Sequence, residues 1–343
     1  MGLIVAGIMS LTTVFMEVAR KKAVTGRSLL PVLFWCHIFD ALVFVLVWSY
    51  CKWRGYGFFV KGGDELFGIT GLPLSPFVIY LIYQVINQVS HGFANWLFFK
   101  ALQEAAMSTA VPFLAFTSVL LIPTGFFLLG EMPSTTKLLG VLLATTGGLM
   151  MHWRLFAVGW LAPFKAIYQN KGSRYMLYVA LMLAVLTPLD KKLTLMTDIY
   201  TQSVIYGTSM SVCFYFMCTA RREPLRPALK DGLKWIILAG TLDAGALLLQ
   251  YQSYQYIDVV IVISIKRAGI VLAVVFGWLF FREKHIRDKL VAASVISIGV
   301  TILYLPLTLL QAAITVAGTF VLIILYIVFV PPEASSSVID SSD

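Results

Sequence analysis

Charge is what this chain has least of. Asp, Glu, Lys and Arg make up 13% of its 343 residues, about half the roughly 25% of ordinary soluble domains. That shortage, beside 59% hydrophobic residues, excludes disorder, a coiled coil and a soluble globular enzyme. In water such a chain could not cover its apolar surface. Cysteine is also scarce: Cys36, Cys51, Cys213 and Cys218 fall in or at the ends of apolar segments. They show no CxxC spacing, so neither a disulfide framework nor a zinc site is indicated. GxSxG, HExxH, Walker and GxGxxG motifs are all missing, so no catalytic residue, cofactor or metal is expected. Without a nucleotide-binding domain, an ATP-driven pump is excluded as a self-contained unit.

What is present is a series of long apolar runs, with a mean hydropathy of +0.86. They lie near residues 2–20, 30–50, 76–99, 105–129, 135–152, 174–195, 200–218, 232–251, 259–281, 288–305 and 307–330. Runs of about 20 apolar residues match the bilayer core, where only helices or closed barrels satisfy the backbone. The first run begins at Leu3 with no basic leader and reads as a span, not as a cleaved signal. The net charge of +9, from 26 Lys and Arg against 17 Asp and Glu, reflects loop placement in a membrane protein and calls for no nucleic-acid partner.

An internal repeat governs the expected fold. A shift of 152 residues lays Gly125 on Gly277, Glu131 on Glu283, Lys137 on Lys289, Leu138 on Leu290, Gly147 on Gly299 and His91 on Asp243. A shift of 170 aligns Lys21-Lys22 with Lys191-Lys192, and the glycine-rich stretch 52–75 accounts for the difference. The expected architecture is an all-α polytopic membrane protein: two inverted five-helix repeats, a ten-span transporter bundle, plus an extra C-terminal hydrophobic helix. Five crossings turn the second copy upside down, a layout typical of secondary transporters. The divisions are 1–152 for the first repeat, 153–173 for an amphipathic interfacial linker, 174–305 for the second repeat, 306–330 for the extra span and 331–343 for a disordered tail.

The stretch from Ile263 to Gly269 and on through Gly277 to Lys284, with Asp190-Lys191-Lys192 and Leu129-Gly130-Glu131, resembles the EamA-type proteins of the drug/metabolite transporter superfamily. The resemblance extends over about residues 1–305. It implies a ten-span fold of two inverted halves, transport of small metabolites and no enzymatic activity. The eleventh span departs from that pattern.

Ionisable residues inside a membrane are costly and face a cavity or a partner. Lys266 and Arg267 sit seven residues into a span, and no charge pair stands at their repeat counterparts, Leu114 and Ala115. Two cations there favour a carboxylate or phosphate group on a substrate; the alternatives are snorkelling and an internal salt bridge. Lys192 is a second candidate anion contact, following Pro188 and Asp190, with Asp190 pairing one of the two lysines. Gln84, Asn87, Gln88, His91 and Asn95 recur along one helical face and could line a polar passage or bond neighbouring helices. Asp243 and Glu17 are candidates for carrying a coupling proton or neutralising the cations. His37 and Asp40 form a weaker pair. Gly125, Gly140, Gly147, Gly148, Gly269 and Gly277 read as helix-packing positions.

The expected function is a secondary active transporter of a small polar or anionic metabolite, alternating access between the repeats. Its expected partners are that substrate, the lipid bilayer, a coupling proton and, still open, a second copy as a homodimer. The alternatives are an exporter of amphiphilic amino acids or drugs, and a non-transporting receptor or lipid-modifying protein on the same fold. Loop charge puts the N-terminus outside, whereas the resemblance implies inside.

Overall fold

The structure is a computed structural model that describes residues 1–57, 65–66, 69–70, 73–150, 168–281, 286–305 and 307–329. Residues 153–167 of the expected linker, the exit motif 282–285 and the tail 331–343 lie outside the described residues.

The first half holds α1 (Gly2–Val24), α2 (Leu29–Trp53), a small antiparallel hairpin of β1 (Glu65–Leu66) and β2 (Ile69–Thr70), and α3 (Pro76–Glu104). It continues through α4 (Met107–Ala110), a 3-10 turn (Val111–Ala115), α5 (Phe116–Leu129) and α6 (Thr135–Met150). The second half holds α7 (Lys171–Met196), α8 (Ile199–Ala220), α9 (Pro227–Tyr254), α10 (Val259–Phe281), α11 (Ile286–Tyr304) and finally α12 (Leu309–Phe329). Among the described residues, four helices, Gly2–Val24, Leu29–Trp53, Ile199–Ala220 and the Gly232–Tyr254 part of α9, are long and apolar enough to cross a membrane by length and composition. α3 and α7 are longer still at 29 and 26 residues, but their apolar character is interrupted by the polar residues that build the interior.

Local chemistry sets several helix starts. The Ser75 side chain accepts from Val78 N–H ahead of Pro76, Asn170 accepts from Ser173 N–H, and Asp198 accepts from Tyr200 and Thr201 N–H. Each supplies a partner to an N–H that the helix cannot satisfy internally. The fourth expected span, 105–129, is not one helix. It breaks into α4, a 3-10 turn with Pro112 in its first turn, and α5, because proline removes the N–H that would continue the ladder.

Helices of the two halves pair across the molecule. α1 packs on α9 and α10, α7 packs on α3 and α5, α2 packs on α8, and α6 packs on α11. The α6–α11 crossing is close. A Cβ on Gly299 would sit 2.4 Å from Ala144 N and 2.7 Å from Gly140 O, so the backbones touch where side chains are absent. α12 lies on this pair through Ala312 and Val316 against Leu143, Ala292 and Ile302, and its opposite side, Leu310, Ile314 and Leu322, is exposed.

Candidate functional site

The paired helices leave a cavity of about 100 Å³ between α1, α3, α7, α8, α9 and α10. Its placement follows from close packing. Gly269 brings α10 against α1, where a Cβ would meet Val14 Cγ2 at 2.6 Å. One turn earlier, Ser10 Oγ of α1 donates to the Lys266 carbonyl at 3.2 Å. Glu17, seven residues along α1 from Ser10, and Lys266 and Arg267 of α10 therefore border the same space.

Seven of the expected site residues line this cavity: Glu17, His91, Asn95, Asp190, Asp243, Lys266 and Arg267. The α10 cations are not alone there. With Arg20 they make three formal cations, against the three acids Glu17, Asp190 and Asp243. Lys266 Nζ donates to Gln250 Oε1 at 2.7 Å, and Gln250 Nε2 donates to Tyr254 Oη at 2.6 Å. The buried Arg267 has a partnerless Nε. A buried donor left unmade is costly, so the guanidinium is a group with bonding capacity to spare on the cavity wall.

The α3 stripe divides in two. Asn95 Nδ2 donates to Tyr206 Oη at 2.9 Å, and His91 Nε2 meets Asp190 at 3.0 and 3.2 Å; both residues face the cavity. Gln84, Asn87 and Gln88 are not among its lining residues. Gln84 Nε2 donates to Tyr80 Oη at 2.8 Å and Gln202 Oε1 at 2.5 Å, Gln88 Nε2 donates to Gln84 Oε1 at 3.1 Å, and Asn87 Nδ2 donates to Asp190 Oδ1 at 2.8 Å. These bonds tie α3 to α7 and α8.

Lys192 also stands away from the cavity. It bonds Glu65 Oε1 of the hairpin at 2.5 Å and lies 5.2 Å over the Tyr83 ring. Lys191 Nζ pairs with Glu131 Oε1 at 2.5 Å and donates to the Ile257 carbonyl at 3.0 Å. Asp190 pairs with neither lysine, contrary to the expectation from sequence; Asn87 and His91 take its oxygens. Successive helical residues point about 100° apart, so three adjacent charges in α7 reach three different neighbours. Gly130, at φ +70, turns the chain after α5 so that the second oxygen of Glu131 accepts from Val259 N–H at 2.8 Å, at the start of α10.

Sequence reasoning missed Arg20, which it counted among the loop cations. α1 runs on to Val24, and Arg20 is buried. Its Nη2 lies 2.6 Å from Asp243 Oδ2, and its guanidinium lies over the rings of Phe98 and Phe99 at 5.3 and 5.0 Å. The spacing of Glu17 and Arg20 on one helical face was the available signal. Tyr206 and Gln250 were also missed, since neither is unusual in a membrane helix.

Behind Asp243 lies a second polar cluster. His37 Nδ1 and Asp40 Oδ2 of α2 are 2.6 Å apart, with both side chains almost fully enclosed. His37 stacks on Phe214 at 5.4 Å with an interplanar angle of 5°. One ligand-type atom from each of His37, Asp40 and Asp243 lies within 4.8 Å of the others. The cation this cluster already holds is the Arg20 guanidinium.

Residues 170–305 match the EamA-like transporter family. No curated protein matches the chain. One solved crystal structure, described only as that of a protein, superposes with a TM-score of 0.62 at 15% identity, over 88% of this chain and 96% of its own. At that identity the likeness is one of fold. The family match bears out the resemblance over the second half, and with the membrane-length apolar helices it marks an integral, multi-pass membrane protein.

Proposed function

We propose that this membrane protein is an EamA-type transporter, a secondary carrier that moves a small polar metabolite bearing an acidic group through the cavity. Access alternates between two inverted five-helix halves. The carrying observation is the cavity itself: it lies between helices of both halves, with Lys266 and the under-bonded Arg267 on its wall. The reciprocal packing supports the inverted arrangement. α1 meets α9 as α7 meets α3, and α1 meets α10 as α7 meets α5. Those are the partners that an exchange of the two halves would give.

The mechanism follows from the charges. An acidic group entering the cavity gains the unused Nε donor of Arg267, and a guanidinium can hold a carboxylate or phosphate through two parallel bonds. Asn95, Tyr206 and Thr187 offer neutral hydrogen-bonding groups around it. A rocking of one half against the other about this fixed site exposes it to either side in turn. Lys192, Gln84 and Gln88 have a supporting role, holding α7 and α8 to the hairpin and to α3.

One observation favours a second reading within transport, the export of amphiphilic amino acids. The acids match the cations in number, and Glu17 shares the cavity with Arg267. A dipolar substrate would satisfy both signs at once, whereas a bare anion would leave Glu17 opposed.

Uptake into proteoliposomes, with panels of carboxylates, phosphorylated metabolites and zwitterions, tests these readings. Arg267→Gln and Lys266→Gln are expected to reduce uptake of the transported compound at least about tenfold, the effect of losing one charge-assisted bond. Glu17→Gln separates the two readings. It reduces uptake of a zwitterion and leaves or improves that of a simple anion. Full transport by both cation variants would refute the acidic-group assignment.

A further inference from the structure

The His37–Asp40 pair has no part in the reading above, yet it is built as though for exchange with something. Both residues are fully buried. Each uses one atom on the other, at 2.6 Å, and each keeps a second atom, His37 Nε2 and Asp40 Oδ1, buried with no partner. Asp40 Oδ1 faces α8 at Gly207, where a Cβ would stand 2.9 Å from it, so that helix presents no side chain to satisfy it. A dyad kept only for stability would not leave a donor–acceptor nitrogen and a carboxylate oxygen both unmet, since each such group costs stability and groups of this kind concentrate at functional sites.

We propose that the His37–Asp40 dyad is a proton-binding site that exchanges protons with the cavity through Asp243, giving the carrier a coupling ion. Asp243 lines the cavity and retains some exposure, 15% of its side chain, and it lies within 4.8 Å of the dyad. Among the described residues it is the acid that both lines the cavity and stands beside the dyad.

The proton balance is as follows. Unloaded, the dyad shares one proton between Nδ1 and Oδ2 and carries a net charge of −1, as a neutral imidazole beside a carboxylate. Cavity water gives a proton to Asp243, which passes it to the dyad and returns to its pairing with Arg20. Loaded, the dyad holds two protons and is neutral. Arg20 makes both states tenable, because a net charge in the membrane interior is otherwise expensive. In the unloaded state its single positive charge serves two carboxylates, and in the loaded state it serves Asp243 alone. Loading therefore changes the grip on a residue of the cavity wall, which is what coupling requires.

The charged and titratable groups that face the dyad are Arg20 from α1, Asp243 from α9, Tyr206 from α8 and Cys36 on α2 itself. From α3, His91 lies beyond Tyr206, with the two rings 5.4 Å apart. None of these replaces Asp243 as the link to the cavity.

The test needs no substrate, so it stands or falls apart from the transport assay. The chain has four histidines, and NMR of the full-length protein in lipid nanodiscs, labelled at histidine, resolves them, with His37→Gln assigning the signal. The His37 ring signals are expected to respond as the pH is varied over the range in which imidazoles change charge, about pH 5 to 8. Asp243→Asn and Arg20→Gln are expected to move the midpoint in opposite senses, because they remove opposite charges. A potentiometric titration is expected to count about one proton more for the wild type than for Asp40→Asn. His37 signals that stay fixed across that range overturn the proposal on the wild type alone, whatever the folding of the variants. So does a titration that ignores both cavity-side substitutions, with Asp243→Glu and Arg20→Lys as the milder pair where the first two do not fold.

Discussion

Glu131 offers the sharpest test of how the helices are held. Its first oxygen is 2.5 Å from Lys191 Nζ, and its second accepts from Val259 N–H at 2.8 Å, while Lys191 also donates to the Ile257 carbonyl at 3.0 Å. One carboxylate thus joins the α5–α6 turn to α7 and to the connection that opens α10. The two side chains are 7% and 17% exposed, far from the condition of a surface ion pair. Removing one member of a buried pair costs about 3–5 kcal/mol, because the other charge is stranded, and an unmet Val259 N–H adds about 1–3 kcal/mol. The partial exposure of Glu131 and relaxation at a helix end reduce the sum, so Glu131→Ala is expected to lower stability by about 3 kcal/mol. Glu131→Gln keeps an acceptor but offers it to only one of the two donors, for a loss of about 1–2 kcal/mol. Glu131→Leu combined with Lys191→Met removes both charges and is expected to recover about half of the alanine loss. Unfolding of the purified protein in detergent, followed by circular dichroism, measures all three. If Glu131→Ala lies within about 0.5 kcal/mol of the wild type, the pair behaves like an exposed one and the reasoning fails.

Two further outcomes are expected. Gly299→Val forces a Cβ to within 2.4 Å of Ala144 N, a backbone atom that no rotamer change can move, and is expected to cost more than about 2 kcal/mol; Gly318→Val, with nothing within 4 Å, is its control, and equal stability of the two would contradict the described α6–α11 crossing. Gln250→Leu takes away the acceptor of Lys266 and is expected to destabilise by about 1–3 kcal/mol, with most of that restored by adding Lys266→Met, as read in the same unfolding assay.

Much of the interior was legible from single residues because the membrane makes polarity informative. A charge in an apolar run has few places to go, so Asp243, Lys266, Arg267 and Glu17 could be singled out one by one, and all four line the cavity. The same logic failed at Arg20, since a hydropathy boundary gives the end of an apolar run and not the end of a helix. It also failed at Lys192. Sequence fixes a residue's angular position on its own helix, but which neighbour stands at that angle depends on packing. For Lys192 the neighbour is the Glu65 hairpin, and for Asp190 it is α3.

Sequence by itself determined that this is a helical, multi-pass membrane protein, because apolar runs of about 20 residues have no other stable form in lipid. It also determined that the Lys266–Arg267 pair has no charged match 152 residues earlier, at Leu114 and Ala115, since that comparison needs the sequence alone. Tertiary structure decided what those charges meet. It placed Arg20 on Asp243 at 2.6 Å, set three acids beside three bases in one cavity, and sealed His37 against Asp40 behind them. The physical reason is the range of the interactions. Hydropathy acts residue by residue, whereas ion pairs and hydrogen bonds depend on sub-ångström geometry between segments as much as 256 residues apart, which only the packed bundle can set.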